Sequence, residues 1–328
     1  MHILHIWDQA GVAFILAKFQ RKNGDQSKVI RVKGPDKYGI DEFYRNNGLF
    51  VTTDEFVRKS IVEAKKADVI HIHSLPEMVT NIRKIYGKSK IIILHYHGTD
   101  IRGLKENVKE SNFRISISGK KLLSHLVLKR RHIKGQRFAD KVIVSTPDLL
   151  HLVRGSVWLP NPVDTDHFNC KWNGKKSTIE RALLIHSEPT DTKLAIDFCK
   201  HKGLLNIETH DRTKNPVSHK DLPKFFENYD IYLDLRFVNG ELLQNLSLTA
   251  LQALASGLRV LNHNLNFIDN LPLEHYPVNV VTKLSYIYSQ KMKKNYSVLA
   301  KLVLEQFPLD IIYFFYFFIK NWKQKVAS

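Results

Sequence analysis

Two doubly wound α/β domains facing a cleft are the architecture the sequence predicts, and three observations predict it. Short β-rich apolar runs alternate with helical patterns along most of the chain, which means parallel sheets with helices on both faces. The alternation restarts near residue 181, after Leu159-Pro-Asn-Pro-Val-Asp164, where two prolines interrupt regular structure as a hinge does. At 328 residues the chain is longer than one typical core fills.

The elements follow in order. Ile3–Ile6 is an apolar strand, Gly11 to Lys22 a helix and Lys28–Val32 the next strand. A helix is expected near Asp54–Lys66, then strands at Asp68–His73, Lys90–His95 and Lys141–Ser145. The second half opens with a strand at Arg181–Ser187 and a helix through Lys193–His201. Tyr229–Leu235 is a β-rich run, Asn239-Gly240 a turn signal, and Ser247–Ala255 a helix of small and apolar residues that Gly257 stops. Leu258–Leu261 closes this unit as a short strand. Such a βαβ unit leaves a crevice at the carboxyl end of its first strand, with the helix N-terminus facing it. The N–H groups of Ser247, Leu248 and Thr249, at the positive end of the helix dipole, suit a phosphate there. A plain core unit is the competing reading of the same stretch.

Composition bounds the partners. The formal net charge of +18 implies an anionic one: a phosphate ligand, an acidic membrane surface or nucleic acid. Only Cys170 and Cys199 occur, so no disulfide framework is indicated and a reducing compartment is expected. The sequence starts directly on an apolar strand, so no signal peptide is expected. The longest apolar run, Ile311 to Ile319, is too short to span a bilayer. The basic charge concentrates between Ser111 and Ala139, a stretch without acidic residues. There Lys120, Lys121, Lys129, Arg130, Arg131, Lys134 and Arg137 sit among Leu122, Leu123, Leu126 and Leu128. This is a basic amphipathic stretch suited to an anionic lipid surface, the alternative being a solvated helix face over a buried leucine stripe. No nucleic-acid-binding motif is present and the aromatics are not interleaved with the basic run, so nucleic acid is not expected as a partner.

Several motifs, in order, resemble those of the retaining glycosyltransferases of family 4, which have the GT-B fold. Asp68-Val-Ile-His-Ile-His73 resembles that family's Asp-Val-Val-His-Val-His strand, and His95-Tyr-His-Gly-Thr-Asp100 its His-Gly-x-Asp loop. Ala139-Asp-Lys-Val-Ile-Val-Ser145 resembles the strand before the domain crossing. Pro160-Asn-Pro-Val-Asp164 with Phe168 resembles the hinge, and Ala250-Leu-Gln-Ala-Leu-Ala-Ser-Gly257 the donor-site helix.

The resemblance implies a GT-B protein of two Rossmann-like domains with an interdomain cleft. Residues 1–159 would form an acceptor domain, 160–306 a nucleotide-sugar domain, and 307–328 a last helix packing back on the first domain. It implies a nucleoside diphosphate sugar as co-substrate and no further cofactor. It places Gly11 beside the donor phosphates, His97 on the sugar and Lys193 on the phosphate, with Ser247 and Leu248 offering N–H groups to the diphosphate. His97 and Lys193 are the catalytic candidates. The acceptor it implies is a lipid-linked glycan or polysaccharide precursor, met at the inner face of the cell membrane by a cytoplasmic, peripheral enzyme. Lys120, Lys121, Lys129, Arg130 and Arg131 would then form the membrane or acceptor surface.

The chain departs from the family where charge matters. Gln244 and Gln252 stand at the places of two glutamates, where an amide still hydrogen-bonds hydroxyls but brings no charge. Glu188 stands where an arginine is usual. A GT-B-shaped protein without catalysis, binding a glycan or lipid for an active partner, is therefore the alternative. The pairs His71/His73 and His95/His97 each share one strand face, a spacing that also suits zinc and a metal-dependent hydrolase. Asp100 is the carboxylate expected near them, the resemblance accounts for the same residues without a metal, and the expectation is that no metal is bound.

Overall fold

In a computed structural model, all residues are described apart from 9, 99, 103–118, 170–180, 187–189, 204–205, 239 and 307–328; the side chains of 119–125 and 292–306 are likewise left aside. Residues 1–284 form one compact unit, and 285–328 a second, in which 285–306 are helical.

The first unit contains one parallel sheet and one that is parallel but for an edge strand. The larger has seven strands in the order β3-β2-β1-β4-β5-β6-β7: β1 His2–Ile6, β2 Gln26–Val32, β3 Gly48–Val51, β4 Val69–His73, β5 Ile91–Tyr96, β6 Lys141–Val144 and β7 Val157–Trp158. The order reverses direction at β1 and β4, which is the switch point where doubly wound sheets open their crevice. The second sheet has the order β14-β13-β10-β8-β9, built from β8 Ala182–His186, β9 Ile207–Asp211, β10 Ile231–Leu233, β13 Arg259–Leu261 and β14 Phe267–Ile268. Its β14 runs antiparallel and closes one edge. Phe237–Val238 (β11) and Glu241–Leu242 (β12) form a separate hairpin, turning through Gly240 at φ 79. The turn signal at Asn239-Gly240 is thus a β-hairpin rather than a loop leading straight to the next helix.

The helices are α1 Val12–Lys22, α2 Ile40–Phe43, α3 Thr53–Lys66, α4 Pro76–Tyr86, α5 Gly119–Phe138, α6 Thr192–His201, α7 Leu222–Phe226, α8 Leu248–Ala255 and α9 Pro277–Gln306. Helix α3 starts at a capping box, where Glu55 reaches back to the Thr52 N–H at 3.4 Å, and buries Phe56, Ser60 and Ala64, four residues apart. Helix α8 is capped by Ser247, whose Oγ accepts from the Ala250 N–H at 2.9 Å, and ends before Gly257 at φ 90.

Strand alternation assigns the two faces of the larger sheet to different chemistry. Leu4, Ile6, Ile70, Ile72 and Leu94 face one way, into a core with Met78, Val79 and Ile82 of α4. His5, His71, His73 and His95 face the other, and register brings them level: His5 lies opposite His71, and His73 opposite His95. A second core gathers Leu183, Tyr232, Val260 and the buried side of α8 around Phe168 and Phe226.

Candidate functional site

At the carboxyl ends of the larger sheet the backbone N–H groups are met by the chain's own carboxylates. Asp8, buried after β1, accepts from Gly11 N and Ala13 N, both at 2.7 Å, and so caps α1. Burial raises its pKa, against the pull of Arg31. Asp100 accepts from Gly98 N at 2.8 Å and from the Ser74 hydroxyl at 2.5 Å. Trp7 and Ser74, which follow β1 and β4, hold positive φ angles of 72 and 60, strain of the kind that collects at functional loops.

Between these loops and α1 runs a ribbon of imidazoles. Gln20 Oε1 bonds His5 Nε2 at 2.8 Å, and His5 Nδ1 bonds His73 Nε2 at 3.0 Å. His73 Nδ1 meets His97 Nε2 at 2.9 Å, and His97 Nδ1 meets Ser145 Oγ at 2.8 Å. Ser145 Oγ also bonds His95 Nε2 at 2.9 Å, and His95 Nδ1 bonds His71 Nε2 at 3.1 Å. Rings two residues apart lie close: His71 and His73 stack with centroids 4.4 Å apart, and His95 and His97 are tilted at 4.2 Å. Burial lowers all these pKa values: to about 4 for His5 and His97, and well below the usual histidine value for His71, His73 and His95. The ribbon is therefore neutral at pH 7. Each neutral ring has one N–H and one lone pair, so an acceptor oxygen on Gln20 makes every ring an Nε2–H tautomer, from His5 round to His71.

The two sets His5/His71/His73 and His73/His95/His97 have the proximity of metal ligands. In this structure neighbouring rings of both sets hydrogen-bond one another, His5 Nδ1 with His73 Nε2 and His73 Nδ1 with His97 Nε2. The fifth member, His5, escapes any reading by local spacing, because only strand register brings it beside His71.

In the second sheet the polar groups are arranged around the start of α8. Ser247 N–H donates to Asp234 Oδ2 at 2.8 Å, and Arg236 Nε holds Asp234 Oδ1 at 3.0 Å. Arg236 also donates to Asn245 Oδ1 at 2.6 Å, and Asn245 Nδ2 to Asp148 Oδ1 at 2.7 Å. Asp148 in turn takes Arg102 at 2.7 Å. This chain of bonds ties the segment before α8 to the loop after β6. Asp164 makes a second tie beyond the hinge prolines. It is fully buried and accepts from Lys18 at 2.7 Å and the Tyr44 hydroxyl at 2.8 Å.

The residues expected from the sequence fall as follows. Gly11 has φ 87, and its N–H is taken by Asp8. Both ring nitrogens of His97 are engaged in the ribbon. Lys193 is exposed in the first turn of α6, with no ion-pair partner among the described residues. Ser247 gives its N–H to Asp234. The N–H groups of Leu248 and Thr249 have no partner among the described residues. Gln244 is exposed before α8, and Gln252 is buried on α8. Lys129, Arg130 and Arg131 are exposed on α5. Lys120 and Lys121 belong to α5 with side chains outside the described residues, as is Glu188 altogether; the expected helix at 307–328 lies outside them too. The leucines Leu126 and Leu128 are exposed, so this part of α5 does not cover a buried leucine stripe. Sequence reasoning missed Gln20, Asp234 and Arg236, none of which carries a motif, and the role of Asn245.

A pocket of about 150 Å³ opens between the two tied segments, lined among others by Ser145, Trp158, Asn161, Gln244 and His275. A larger one, about 750 Å³, lies at the opposite, amino-terminal ends of β1 and β2, beside Gln26 and Lys28. Its Lys28 and Glu63 pair with each other, and the strand ends with their polar loops face away from it, so the smaller pocket is the chemical one.

No family model matches the sequence, and no curated protein does. Solved structures do match the fold. An α-glucosyltransferase in complex with UDP superposes with a TM-score of 0.52 at 12% identity, over 90% of this chain and 94% of that one. An α-glucosyltransferase in complex with UDP and a 13-mer DNA superposes with a TM-score of 0.50 at 13% identity, over 90% and 94%. The chain thus has the α/β GT-B fold of these glycosyltransferases. Because one of the neighbours holds DNA, the exclusion of nucleic acid made from the sequence gains no support from the comparison. Among the described residues no helix is long and apolar enough to cross a membrane.

Proposed function

We propose that the chain transfers a sugar from a nucleoside diphosphate donor, as a retaining enzyme of the family-4 type, to a lipid-linked glycan or polysaccharide precursor. One observation carries the reading. In a GT-B frame, two N–H groups at the start of α8 that have no partner among the described residues and an exposed lysine at the start of α6 stand at the ends of neighbouring strands β10 and β8. Leu248 and Thr249 would hold the diphosphate, and Lys193 would neutralise charge as it leaves. The C1–O bond to phosphate breaks with its electrons going to the diphosphate. The acceptor oxygen bonds C1 from the same face, and its proton passes to the departing phosphate oxygen. Positive groups fixed in advance where charge develops supply the acceleration. No metal is needed in this scheme.

The membrane side of the reading is supported by α5. Leu126, Val127, Leu128, Ile133 and Phe138 are exposed there beside Lys129, Arg130, Arg131, Lys134 and Arg137, apolar and cationic groups that an anionic lipid surface would bury together. Residues 1–159 and 160–306 would serve as acceptor and donor domains of a cytoplasmic, peripheral enzyme.

A second reading is favoured by a different observation. Asp234 sits on the Ser247 N–H where a phosphate would go, and Gln252 is buried, which suits a protein of this shape that binds glycan or lipid without turnover. Calorimetric titration with UDP-, GDP- and ADP-sugars, chelator present, separates the two. Binding of one nucleotide class, with turnover cut about 100-fold or more in Lys193→Ala at unchanged folding, is the expected result. No binding by folded protein would leave only the second reading.

A further inference from the structure

One guanidinium of the second sheet has no counter-charge among the described residues. Arg212 follows β9 directly and is half-buried. Its side chain makes no hydrogen bond and no ion pair among the described residues. What it meets is the ring of Tyr38, 3.8 Å from the centroid. Burial pulls its pKa below the ordinary arginine value, as it does for a charge taken from water without compensation. Arg31, Arg102 and Arg236 are also half-buried near strand ends, and each holds a carboxylate. The carboxylate next in sequence, Asp211, is spent elsewhere: it accepts from Thr213 Oγ1 at 2.5 Å and pairs with Lys214 at 3.7 Å.

The place of this charge decides what it can meet. Strand β9 lies beside β8 with Asp211 opposite His186, and the Arg212 N–H donates to the His186 carbonyl at 3.3 Å. From His186 the chain runs on to α6 and Lys193, while β10, which leads to α8, flanks β8 on its other side. Neighbouring strands are about 4.8 Å apart, so the ends of β9 and β10 stand about 10 Å from each other across β8. Arg212 and the Ser247 side chain both act on the Tyr232 hydroxyl of β10, so the guanidinium lies towards the start of α8.

We infer that Arg212 is a ligand of the donor diphosphate, supplying from the end of β9 a guanidinium where position 188 brings a glutamate instead. The inference rests on the transferase reading and adds to it a residue that no motif marks. Tyr38 is its positioning residue. The Tyr38 carbonyl is held by the His219 N–H at 2.6 Å, which seats the ring against the guanidinium and fixes the plane of the fork. A planar fork can give a phosphate two parallel hydrogen bonds, which a lysine cannot.

The test is calorimetric titration of the full chain with UDP, GDP, ADP and sodium pyrophosphate, chelator present and no lipid added. The wild type is expected to bind one nucleotide and, more weakly, pyrophosphate. Arg212→Gln should weaken both about tenfold or more, and Arg212→Lys should restore part of the loss. The urea midpoint of ligand-free Arg212→Gln should match the wild type, because no ion pair is broken. A lowered midpoint with unchanged affinity is the mark of a structural arginine and overturns the inference. So does an equal loss for the matching nucleoside, which carries no phosphate. If Arg212→Gln does not fold, Arg212→Lys decides: weaker binding with native near-ultraviolet circular dichroism supports the inference, and unchanged affinity overturns it. The parent reading fails differently. Nucleotide binding and turnover indifferent to Arg212 remove only this inference. Pyrophosphate held through Arg212, with no nucleotide bound and no turnover, removes the transferase and leaves an anion site. Folded wild type that binds neither overturns both.

Discussion

The two sheets of this chain both end in polar chemistry, and they dispose of it in opposite ways. In the seven-stranded sheet, His5, His71, His73, His95 and His97 are spent on one another, on Gln20 and on Ser145. In the five-stranded sheet, the start of α8 keeps two N–H groups unpartnered among the described residues and α6 keeps Lys193 exposed. The histidines look more reactive on paper. A group whose every valence is filled by the protein is structure, however, and a group left unfilled at a strand end is where a ligand is recognised.

The largest expected effect breaks the first region alone. His73→Phe keeps the ring's bulk but leaves His5 Nδ1 without its donor and His97 Nε2–H without its acceptor, both buried. Each unsatisfied group costs about 1–3 kcal/mol, so a loss of roughly 2–5 kcal/mol is expected from urea denaturation. Nucleotide affinity should not change. Lys193→Ala should give the reciprocal pattern, intact stability with lost turnover. If His73→Phe instead abolished nucleotide binding at full stability, the division of labour between the sheets would be wrong.

A smaller, graded effect sharpens the same contrast through pH. His5 is fully buried, and its pKa is lowered from 6.5 to about 4. Below pH 6.5 the unfolded ring takes up a proton that the folded one refuses. The folded state therefore loses stability as pH falls, up to about 3 kcal/mol by pH 4 for this ring. Asp8 and Asp41 work the other way, because burial raises their pKa values, that of Asp41 to about 6. The folded state then takes their protons first and gains stability in the same range. Total stability against pH mixes the two signs, so the difference between wild type and His5→Leu is the quantity to follow. The variant is less stable at pH 7, where it lacks two hydrogen bonds, and the gap should narrow steadily towards pH 4.5. A constant gap would mean that the ring at position 5 takes up its proton as readily in the folded state as in the unfolded one.

How much of this was legible before folding depended on the range of the information. The strands at residues 69–73 and 91–96 read directly, because buried parallel strands are continuous β-branched runs. Ile207-Glu-Thr-His-Asp211 did not, because an edge strand with polar residues lacks that signature, and Gly48–Val51 is too short to carry it. The α8 N-cap was visible in Ser247. Its occupant was not, since Asp234 lies thirteen residues earlier and reaches the helix only when β10 is laid beside it. Paired histidines were evident from i, i+2 spacing, while their satisfaction by Gln20, on a helix, and by Ser145, just past the end of another strand, is tertiary. Local pattern found where the polar groups are. Only the fold shows which of them are already satisfied.

That distinction gives the finest prediction, at Asp234. Its carboxylate is 1% exposed, accepts from Ser247 N–H and is held by Arg236. For a diphosphate on Leu248 and Thr249 it is a like charge nearby, only partly offset by the guanidinium. Asp234→Asn keeps an oxygen for the Ser247 N–H and keeps the shape, but removes the charge. Arg236 is then left with one negative neighbour fewer and more of its own field directed at the ligand. With an effective dielectric near 20, a change of this kind is worth about 1 kcal/mol, so nucleoside diphosphate should bind roughly fivefold more tightly in calorimetry. The gain should shrink with added salt if it is electrostatic. Weaker binding in the variant would mean that the Asp234–Arg236 pair holds the start of α8 in place, and that its charge belongs, like the histidines, to the satisfied half of the molecule.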